Sequence, residues 1–251
     1  MLLRDKSAIV TGGAAGIGRA ICLRMAEEGA RVIIADRDEV NGGRVESEIR
    51  AAGGTATFVA TDVADIAAID AMVAKTVEIN GRIDILVNNA GVTKRIPILD
   101  IGEADWDRIQ DINTRGTFFC LQRVARHMKE RNYGRVVNIS SVSGKGVKGS
   151  SNASYAVSKA AGIVLARIAA NELGRFGINV NTVVPGTVNT DLIHALDQQD
   201  PGLIEDFKKR SARGELAEPV DIANAVIFLS SPLADSITGQ SINVDNGVLW
   251  D

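Results

Sequence analysis

The sequence predicts an α/β fold, a doubly wound parallel sheet of seven strands with helices on both faces. Short apolar or β-branched runs alternate along the chain with longer segments of helical period, and this order builds a parallel sheet through crossover helices. Several short runs are apolar throughout, as expected of strands buried on both faces. No linker-like tract and no internal repeat divides the 251 residues, so we expect one domain over residues 1–251.

Each predicted strand is an apolar run bounded by glycine or polar turn residues. In chain order the strands are Ser7–Thr11, Arg31–Ala35, Thr55–Ala60, Ile83–Asn88, Gly134–Ser140, Ile178–Val184 and Ser241–Asp245. Helical period fills the gaps, most clearly at Ile17–Glu28, Val40–Ala52, Ile66–Ile79, Asp105–Arg131 and Ser154–Phe176. Residues 191–213 predict one or two further helices, broken at Pro201-Gly202.

Composition and charge limit the kind of partner. With 45% hydrophobic and 24% charged residues, the chain can build an ordinary globular core. Its net charge of −3 gives no sign of a nucleic-acid surface, because phosphate binding needs clustered Lys and Arg. No apolar run reaches membrane-spanning length, and the first residues lack the long apolar region of a signal peptide. Cys22 and Cys120 lie in apolar helical patterns, which favours buried thiols in a reducing compartment. We therefore expect a soluble, cytoplasmic protein with neither a membrane nor a nucleic-acid partner.

The first strand runs directly into a glycine-rich turn, Thr11–Gly18, that opens a helix. Glycines allow a tight turn and a close approach of the backbone to a pyrophosphate, while the helix N-terminus supplies free N–H groups. A glycine-rich turn without a ligand is the alternative, and the strand-to-helix context makes it the weaker one. The predicted binding residues of this turn are Gly12, Ala15, Gly16, Ile17 and Gly18.

The second strand is followed by Asp36, whose carboxylate can accept hydrogen bonds from both hydroxyls of an adenosine ribose. The negative charge disfavours a 2′-phosphate, and the glycine turn holds only Ala14 and Ala15 where a basic residue would serve NADP. Arg37 follows Asp36 but can equally be solvated. The sequence therefore predicts NAD as cofactor, with a helix-capping aspartate as the alternative reading of Asp36.

The third and fourth strands end in further candidates for cofactor binding. Asp62 can reach an adenine amino group and the backbone of Val63 can meet the ring, although aspartate also commonly opens a helix. The fourth strand ends in "NNAG", where Ala90 and Gly91 leave room for a flat ligand. Cofactor contact and a purely structural role are equally open for Asn88 and Asn89.

Tyr155 and Lys159 stand four residues apart, on one face of a predicted helix. A phenol has a reference pKa near 10, and a nearby ammonium group lowers that pKa, so the pair can transfer a proton at a carbonyl or an alcohol. A half-buried tyrosine stacked on a lysine stem is the structural alternative. The preceding strand favours chemistry, because it leads into hydroxyl groups that could polarise the same carbonyl, those of Ser140, Ser141 and Ser143.

Together the glycine turn, "NNAG", the serine strand and the Tyr-Lys pair resemble the short-chain dehydrogenase/reductase family, which has a Rossmann fold. The resemblance runs from about Asp5 to Gly247. It implies that Tyr155 is the general acid/base, that Lys159 binds the nicotinamide ribose and lowers the pKa of the tyrosine, and that a serine stabilises the reacting oxygen. In the same way it implies that Asn113 holds a water of a proton relay; a local bend in the helix is the other reading of this asparagine.

Three further expectations follow from the resemblance. "PGTVNT" resembles the segment that holds the nicotinamide carboxamide, and the residues implied there are Pro185, Gly186, Val188 and Thr190. Near the C-terminus Asn246 replaces the first of the family's usual pair of glycines, and asparagine also tolerates positive φ. The family is commonly tetrameric, so we expect a homotetramer, with Ala160, Ala161, Ala169 and Ala170 as candidates for the paired helix surface.

The position of the catalytic serine needs a separate argument. The family's serine usually lies about thirteen residues before the tyrosine, and that count falls on Val142, which has no hydroxyl. The family's frame of serine, hydrophobic residue, any residue and glycine fits Ser141 to Gly144. Adjacent strand residues point to opposite faces, so Ser140 is predicted to be packed. We therefore predict Ser141 as the catalytic serine and Ser143 as a substrate contact, along with Tyr155.

The reaction class is predicted more sharply than the substrate. Hydride transfer between NAD and a secondary alcohol or ketone needs no metal, and the sequence has only His127 and His194, far apart. Residues 191–213 resemble a substrate lid. The polar loop Ser143–Ser154, with Lys145, Lys148, Ser151 and Asn152, favours a small polar substrate such as a sugar, polyol or hydroxy acid. The alternatives are a 3-oxoacyl-[acyl-carrier-protein] reductase and a non-catalytic dinucleotide-binding protein.

Overall fold

All seven strands form one parallel sheet in the order β3-β2-β1-β4-β5-β6-β7. The computed structural model describes residues 1–147 and 151–250. The strands are β1 (Ser7–Thr11), β2 (Arg31–Asp36), β3 (Thr55–Ala60), β4 (Ile85–Asn88), β5 (Gly134–Ile139), β6 (Ile178–Pro185) and β7 (Ser241–Val244). The predicted fold class is confirmed, and each predicted strand occurs with ends shifted by two residues at most.

The helices cover both faces of the sheet. They are α1 (Gly16–Glu27), α2 (Glu39–Ala51), α3 (Ile66–Asn80), α4 (Glu103–Gln110), α5 (Thr117–Glu130), α6 (Ala153–Leu173), α7 (Asp191–Gln199), α8 (Leu203–Arg210) and α9 (Pro219–Ser230). Strand residues alternate between two cores: Val10 and Ile34 pack with α1 and α9, whereas Ile9 and Ile33 pack with α3, α5 and α6. Because both faces are buried, these strands are apolar along their whole length.

Side-chain caps fix where several helices begin. Asp38 and Asp65 accept hydrogen bonds from backbone N–H groups in the first turns of α2 and α3. Asn152 caps α6 by accepting from the N–H of Tyr155 at 2.8 Å, so the cap lies within one turn of this predicted catalytic residue. Glu218 and Asp221 form a capping box at α9.

The predicted helix Asp105–Arg131 is not continuous. A π-helical turn at Asp111–Gly116 separates α4 from α5, in the middle of the predicted span. Asn113 lies in this turn with its side chain buried and hydrogen-bonded to residues outside the helix. The α-helix is therefore interrupted at this asparagine by a widened turn, in the place where a local bend was the other reading.

The helix α6 is long and apolar enough to span a membrane, although no segment of the sequence was expected to be. Over Ala153–Phe176 its length and mean hydropathy of 1.2 are sufficient for a membrane span. It packs against the sheet, and Ile163, Ala166 and Ala170 are buried in the cores. The core helix of a globular protein meets the same criteria.

Candidate active site

A cavity of about 720 Å³ opens at the carboxyl ends of the strands, where parallel α/β sheets bind ligands. Most of the predicted site residues line it. These are Gly12, Ala15, Gly16, Ile17, Gly18, Asp36, Asp62, Val63, Asn89, Ala90, Gly91, Ser141, Tyr155, Lys159, Pro185, Gly186, Val188 and Thr190. Asn113 and Ser143 are the two predicted site residues that do not line the cavity.

The glycine turn takes its shape from close backbone contacts. Gly12 has φ of +66°, and a Cβ on Gly18 would lie 1.9 Å from the carbonyl oxygen of Gly12, so both positions require glycine. The Asn89 amide donates to the carbonyl oxygens of Thr11 and Gly12 at 3.1 and 2.9 Å. Asn89 therefore both lines the cavity and holds the turn, whereas Asn88 donates to Asn138 at 3.0 Å and does not line it.

The first turn of α1 borders this end of the cavity. Among the described residues no side chain caps that turn, and Ala15 to Gly18 all line the cavity. Free N–H groups at a helix N-terminus, next to glycines that lack Cβ atoms, suit the pyrophosphate of a dinucleotide. The residues present thus fit a dinucleotide cofactor.

Asp36 is half-buried beside the glycine turn, at the end of β2. Its carboxylate accepts from the N–H of Ala14 and from the N–H of Asp38, each at 3.0 Å. These bonds fix the carboxylate in place and leave lone pairs for two hydroxyl donors. Arg37 also lines the cavity and is exposed.

Tyr155 lies between a hydroxyl group and an ammonium group. Its phenol hydrogen-bonds the Ser141 side chain, and Lys159 Nζ lies 5.6 Å from the centre of its ring. Burial raises the pKa of Tyr155 to about 12, and the Ser141 hydrogen bond opposes this only in part. The lowering of this pKa expected from Lys159 is not found: the group that lowers the pKa is Ser141, and desolvation outweighs its effect.

Lys159 is itself buried, with 8% of its surface exposed. Its ammonium group donates to the carbonyl oxygen of Ile139 at 2.9 Å, at the end of β5. Burial lowers the pKa of Lys159 to about 8, because the charged form loses hydration. At neutral pH the ammonium form still predominates beside the phenol.

The three serines occupy distinct positions. Ser140 donates to the carbonyl oxygen of Lys159 at 2.8 Å and is buried as predicted, although it also lines the cavity. Ser141 Oγ accepts from the N–H of Ser143 at 3.1 Å and lies 3.2 Å from Ser143 Oγ. Ser143 is buried and lies away from the cavity lining, so its position does not support the predicted contact with substrate.

Asn113 joins two segments beside the cavity through its side-chain amide. Its Oδ1 accepts from the N–H of Val92 at 2.8 Å, and its Nδ2 donates to the carbonyl oxygen of Val92 at 3.0 Å. Nδ2 also donates to Ser158 Oγ at 3.0 Å. These three hydrogen bonds, which use both N–H groups of the buried amide, are directed at the loop after β4 and at α6.

The segment after β6 closes the cavity from the side. Gly186 lies against Asp245, where a Cβ would come within 2.8 Å of the Asp245 Cβ. Thr190 begins α7 and its hydroxyl lies 3.4 Å from the carbonyl oxygen of Val188. Asn246 has φ of +55°, the left-handed conformation that the sequence analysis assigned to this substituted glycine.

The substrate end of the cavity includes residues that the sequence analysis did not single out. Lys94 pairs with Asp105 at 3.0 Å, and Arg95 pairs with Asp200 at 2.7 Å. Thr93 Oγ1 lies 2.8 Å from Ser151 Oγ. The signal that could have found them is their position, because a loop after a central strand reaches this edge of the sheet.

Two helices, α7 and α8, cover this end with apolar side chains. The lining residues from these helices and their junction include Leu192, Ile193, Leu196, Leu203 and Phe207. The predicted break at Pro201-Gly202 is present between them. His194 does not line the cavity, and its ring lies 2.8 Å from Asn189 Oδ1.

Of the polar loop that favoured a polar substrate, only part reaches the cavity. Ser151 lines it, Lys145 does not, and Asn152 serves as the cap of α6. Lys148 lies outside the described residues. Within the described ranges, no cluster of three or more His, Cys, Asp or Glu side chains could hold a metal ion.

Comparison with known proteins gives matches along nearly the whole chain. Residues 12–249 match the model of a family described as enoyl-(acyl carrier protein) reductase. The short-chain reductase protein NovJ of Streptomyces niveus is 39% identical, over 97% of this chain and 94% of its own. The 3-oxoacyl-[acyl-carrier-protein] reductase FabG of Staphylococcus aureus is 39% identical, over 97% and 98%. L-rhamnose 1-dehydrogenase (NAD(P)(+)) of Azotobacter vinelandii is 40% identical, over 99% and 98%.

Solved structures agree with these matches. A short-chain type dehydrogenase/reductase from Mycobacterium ulcerans superimposes with a TM-score of 0.93 at 31% identity. The superposition covers 99% of this chain and 91% of the other. The sheet order and the helices described above are therefore those of a known group of enzymes.

Proposed function

This chain belongs to the short-chain dehydrogenase/reductase family and is an oxidoreductase acting on CH–OH groups, and on that premise we propose that it transfers a hydride between NAD and a secondary alcohol or ketone. The observation that carries the proposal is that Tyr155, Ser141 and Lys159 line the same cavity as the glycine turn. A proton-transfer group thus faces the same space as a dinucleotide cradle.

Bound NAD supplies a carbon that accepts or gives a hydride. Tyr155 gives the proton to the substrate oxygen during reduction and accepts it during oxidation. Ser141 donates a hydrogen bond to the same oxygen and stabilises the charge that develops there. Lys159 holds a positive charge beside the phenol, and Asn113 fixes the loop after β4 that borders the reacting groups.

We propose NAD over NADP because of Asp36. Its carboxylate is fixed by two backbone N–H groups at the adenosine end of the cavity, where a 2′-phosphate would meet a negative charge. The glycine turn offers Ala14 and Ala15 and no basic side chain. The replacement Asp36→Ala is expected to weaken NAD binding and to reduce the preference for NAD over NADP.

The substrate we propose is a small polar secondary alcohol, such as a sugar, polyol or hydroxy acid. The hydroxyl groups of Thr93 and Ser151 supply polar contacts near Tyr155, and one relative is named as a sugar dehydrogenase. The apolar inner face of α7 and α8 packs against the carbon skeleton. We propose residues 191–213 as the lid that closes over it, and Pro201-Gly202 as its turning point.

The second candidate is a 3-oxoacyl-[acyl-carrier-protein] reductase, which a relative of similar identity favours. Asp36 and the lack of a basic residue in the glycine turn argue against an enzyme of that kind that uses NADPH. A non-catalytic role is the third candidate, and it leaves unexplained why both Tyr155 and Lys159 line the cavity.

We also propose a homotetramer in the cytoplasm. Ala169 and Ala170, expected on the paired helix surface, are buried in the core; the exposed apolar residues of α6 are Val157, Val164 and Ile168. A second cavity of about 480 Å³ lies between α5 and α6. A second copy of the chain would cover this surface. The two free, buried thiols, Cys22 and Cys120, suit a reducing compartment.

The test is a panel of sugars, polyols, hydroxy acids and a 3-oxoacyl thioester, each assayed with NAD and with NADP. We expect NAD-linked turnover of an alcohol or its ketone and its loss in Tyr155→Phe, which deletes only the phenol oxygen. NAD binding should survive in that variant. Turnover with NADP at least equal to that with NAD would refute the cofactor assignment, and full activity of Tyr155→Phe would refute the catalytic one.

A further inference from the structure

Ser158 stands between the two predicted catalytic residues of α6 and faces away from the cavity. It is 1% exposed and does not line the cavity. Its hydroxyl donates to the carbonyl oxygen of Tyr155 at 2.7 Å and accepts from Asn113 Nδ2 at 3.0 Å. One buried hydroxyl therefore links the backbone of the catalytic tyrosine to the π-helical turn.

The link continues beyond Asn113. The same amide bonds both the N–H and the carbonyl oxygen of Val92, in the loop that follows β4. Three segments are thus joined in series: the loop at Val92, the π-helical turn and the first turns of α6. Without the Ser158 hydroxyl, one N–H of the buried Asn113 amide would have no acceptor, which destabilises this arrangement.

A second bond of similar design lies one turn earlier on α6. Gln110 Nε2 donates to the carbonyl oxygen of Ser154 at 3.0 Å and to its hydroxyl at 3.2 Å. Ser154 and Ser158 are four residues apart and both are buried, so they form a polar seam down one side of the helix. Tyr155 and Lys159 each follow one of these serines directly.

We propose that Ser158 is a positioning residue, which sets where the Tyr155 phenol stands relative to Ser141 by fastening α6 to Asn113. The proposal rests on the proposed function. It assigns Ser158 no contact with substrate or cofactor. Misplacement of a reacting group by about 1 Å can cost on the order of a hundredfold in rate, so a small rotation of the first turns of α6 is sufficient for a large effect.

The test compares Ser158→Ala with Ser158→Thr, which keeps a hydroxyl. We expect Ser158→Ala to lower kcat by about 10- to 100-fold while Kd for NAD stays within about twofold. The pH at which alcohol oxidation reaches half its maximum should rise, because the hydrogen bond from Ser141 lowers the pKa of Tyr155 and would be weakened. Ser158→Thr should recover most of the rate and the original pH profile.

The matched control is Ser230→Ala in α9. Ser230 is also a fully buried helical serine, and its hydroxyl has no hydrogen-bond partner within the part of the chain that the structure describes. We expect this variant to keep both kcat and the pH profile. If Ser158→Ala does not fold, Ser158→Cys keeps the side-chain volume with a weaker donor and enters the same assays.

The outcomes separate this proposal from the proposed function. A wild-type protein without turnover on any alcohol or ketone refutes the proposed function. With an active wild type, an unchanged pH profile in Ser158→Ala, or the same loss of rate in Ser158→Thr, overturns the positioning role. A raised half-maximal pH together with recovery by threonine supports it, because loss of stability alone would not move the pH profile.

Discussion

At the scale of single residues, burial shifts the pKa values of Tyr155 and Lys159 in opposite directions, and each shift favours the uncharged form of its side chain. Burial raises the pKa of the phenol to about 12 and lowers that of the ammonium group to about 8. Each neutral form is therefore favoured by the site, although at pH 7 the lysine still carries its charge. The tyrosine is ready to give a proton, and alcohol oxidation needs an added positive charge or a higher pH before it can accept one.

Ser141 and Ser143 can be distinguished by substitution. Ser141 is the serine that bonds the Tyr155 phenol, and a single donor to the reacting oxygen is worth about 3 kcal/mol, or roughly a hundredfold in rate. We expect Ser141→Ala to lose about that factor in kcat and Ser143→Ala to lose far less. Steady-state kinetics of the two variants measure this. A larger loss of kcat in Ser143→Ala than in Ser141→Ala would show that Ser143 is the catalytic serine.

Lys159 makes stability depend on pH. Its pKa in the folded protein, about 8, lies below its ordinary 10.5, so the unfolded chain binds more protons between these values and stability rises with pH there. Below pH 8 the folded protein carries the full penalty. Allowing for the lost bond to Ile139, we expect Lys159→Met to be more stable than wild type at pH 7 by about 2 kcal/mol.

Urea unfolding of both proteins at pH 7 and at pH 9.5 measures this. The difference in free energy of unfolding between Lys159→Met and the wild type should narrow markedly at pH 9.5, because the folded wild type has already released the proton of Lys159 there. The buried thiols of Cys22 and Cys120 also have raised pKa values, but they are common to both proteins and cancel in the comparison. A gap that stays constant with pH would show that the lysine is not penalised by burial.

At the scale of elements, an exposed ion pair joins the lid that we propose for α7 and α8 to the loop after β4. Arg95 and Asp200 are 48% and 63% exposed, so their pairing is worth about 0.5 kcal/mol and weakens with salt. We expect Asp200→Asn to speed backbone hydrogen exchange in residues 191–210 by about two- to threefold at low salt. Salt should produce the same change in the wild type.

The control for this prediction is Asp206→Asn. Asp206 is equally exposed and pairs with Lys209 inside α8, so its loss does not release the lid from the loop after β4. Hydrogen exchange measured by mass spectrometry should separate the two variants. Equal exchange in wild type and Asp200→Asn at low salt would mean that the apolar contacts of Leu203 and Phe207 alone hold the lid.

The same scale shows what the sequence could and could not predict. The strands were predictable because a short run that is apolar throughout is typical of a strand buried on both faces of a parallel sheet. The π-helical turn was not, since it depends on Asn113 meeting Val92, a contact between segments that no local pattern links. Likewise Arg95 and Asp200 are 105 residues apart, and neither has a local signal for the other.

At the scale of the whole molecule, the exposed face of α6 predicts assembly. Val157, Val164 and Ile168 are 50% or more exposed, and their spacing places them on one side of the helix. We expect light scattering to give four times the chain mass at micromolar concentration. The change Ile168→Asp should give smaller species, because it buries a charge in the paired surface.

A suitable control is Val40→Asp on α2, since Val40 is 67% exposed and lies on a different helix. It should leave the assembly unchanged. A monomeric wild type, or equal behaviour of the two aspartate variants, would remove α6 from the contact surface.

The bond between Asn89 and the glycine turn has a consequence for how the molecule is made. The amide of Asn89 holds carbonyl groups 78 and 77 residues earlier in the chain, across the join between β1 and β4. A nascent chain that has not yet produced β4 can pair its first three strands, yet its glycine loop lacks the group that shapes it. Dinucleotide binding should therefore begin only after the fourth strand has docked against the first.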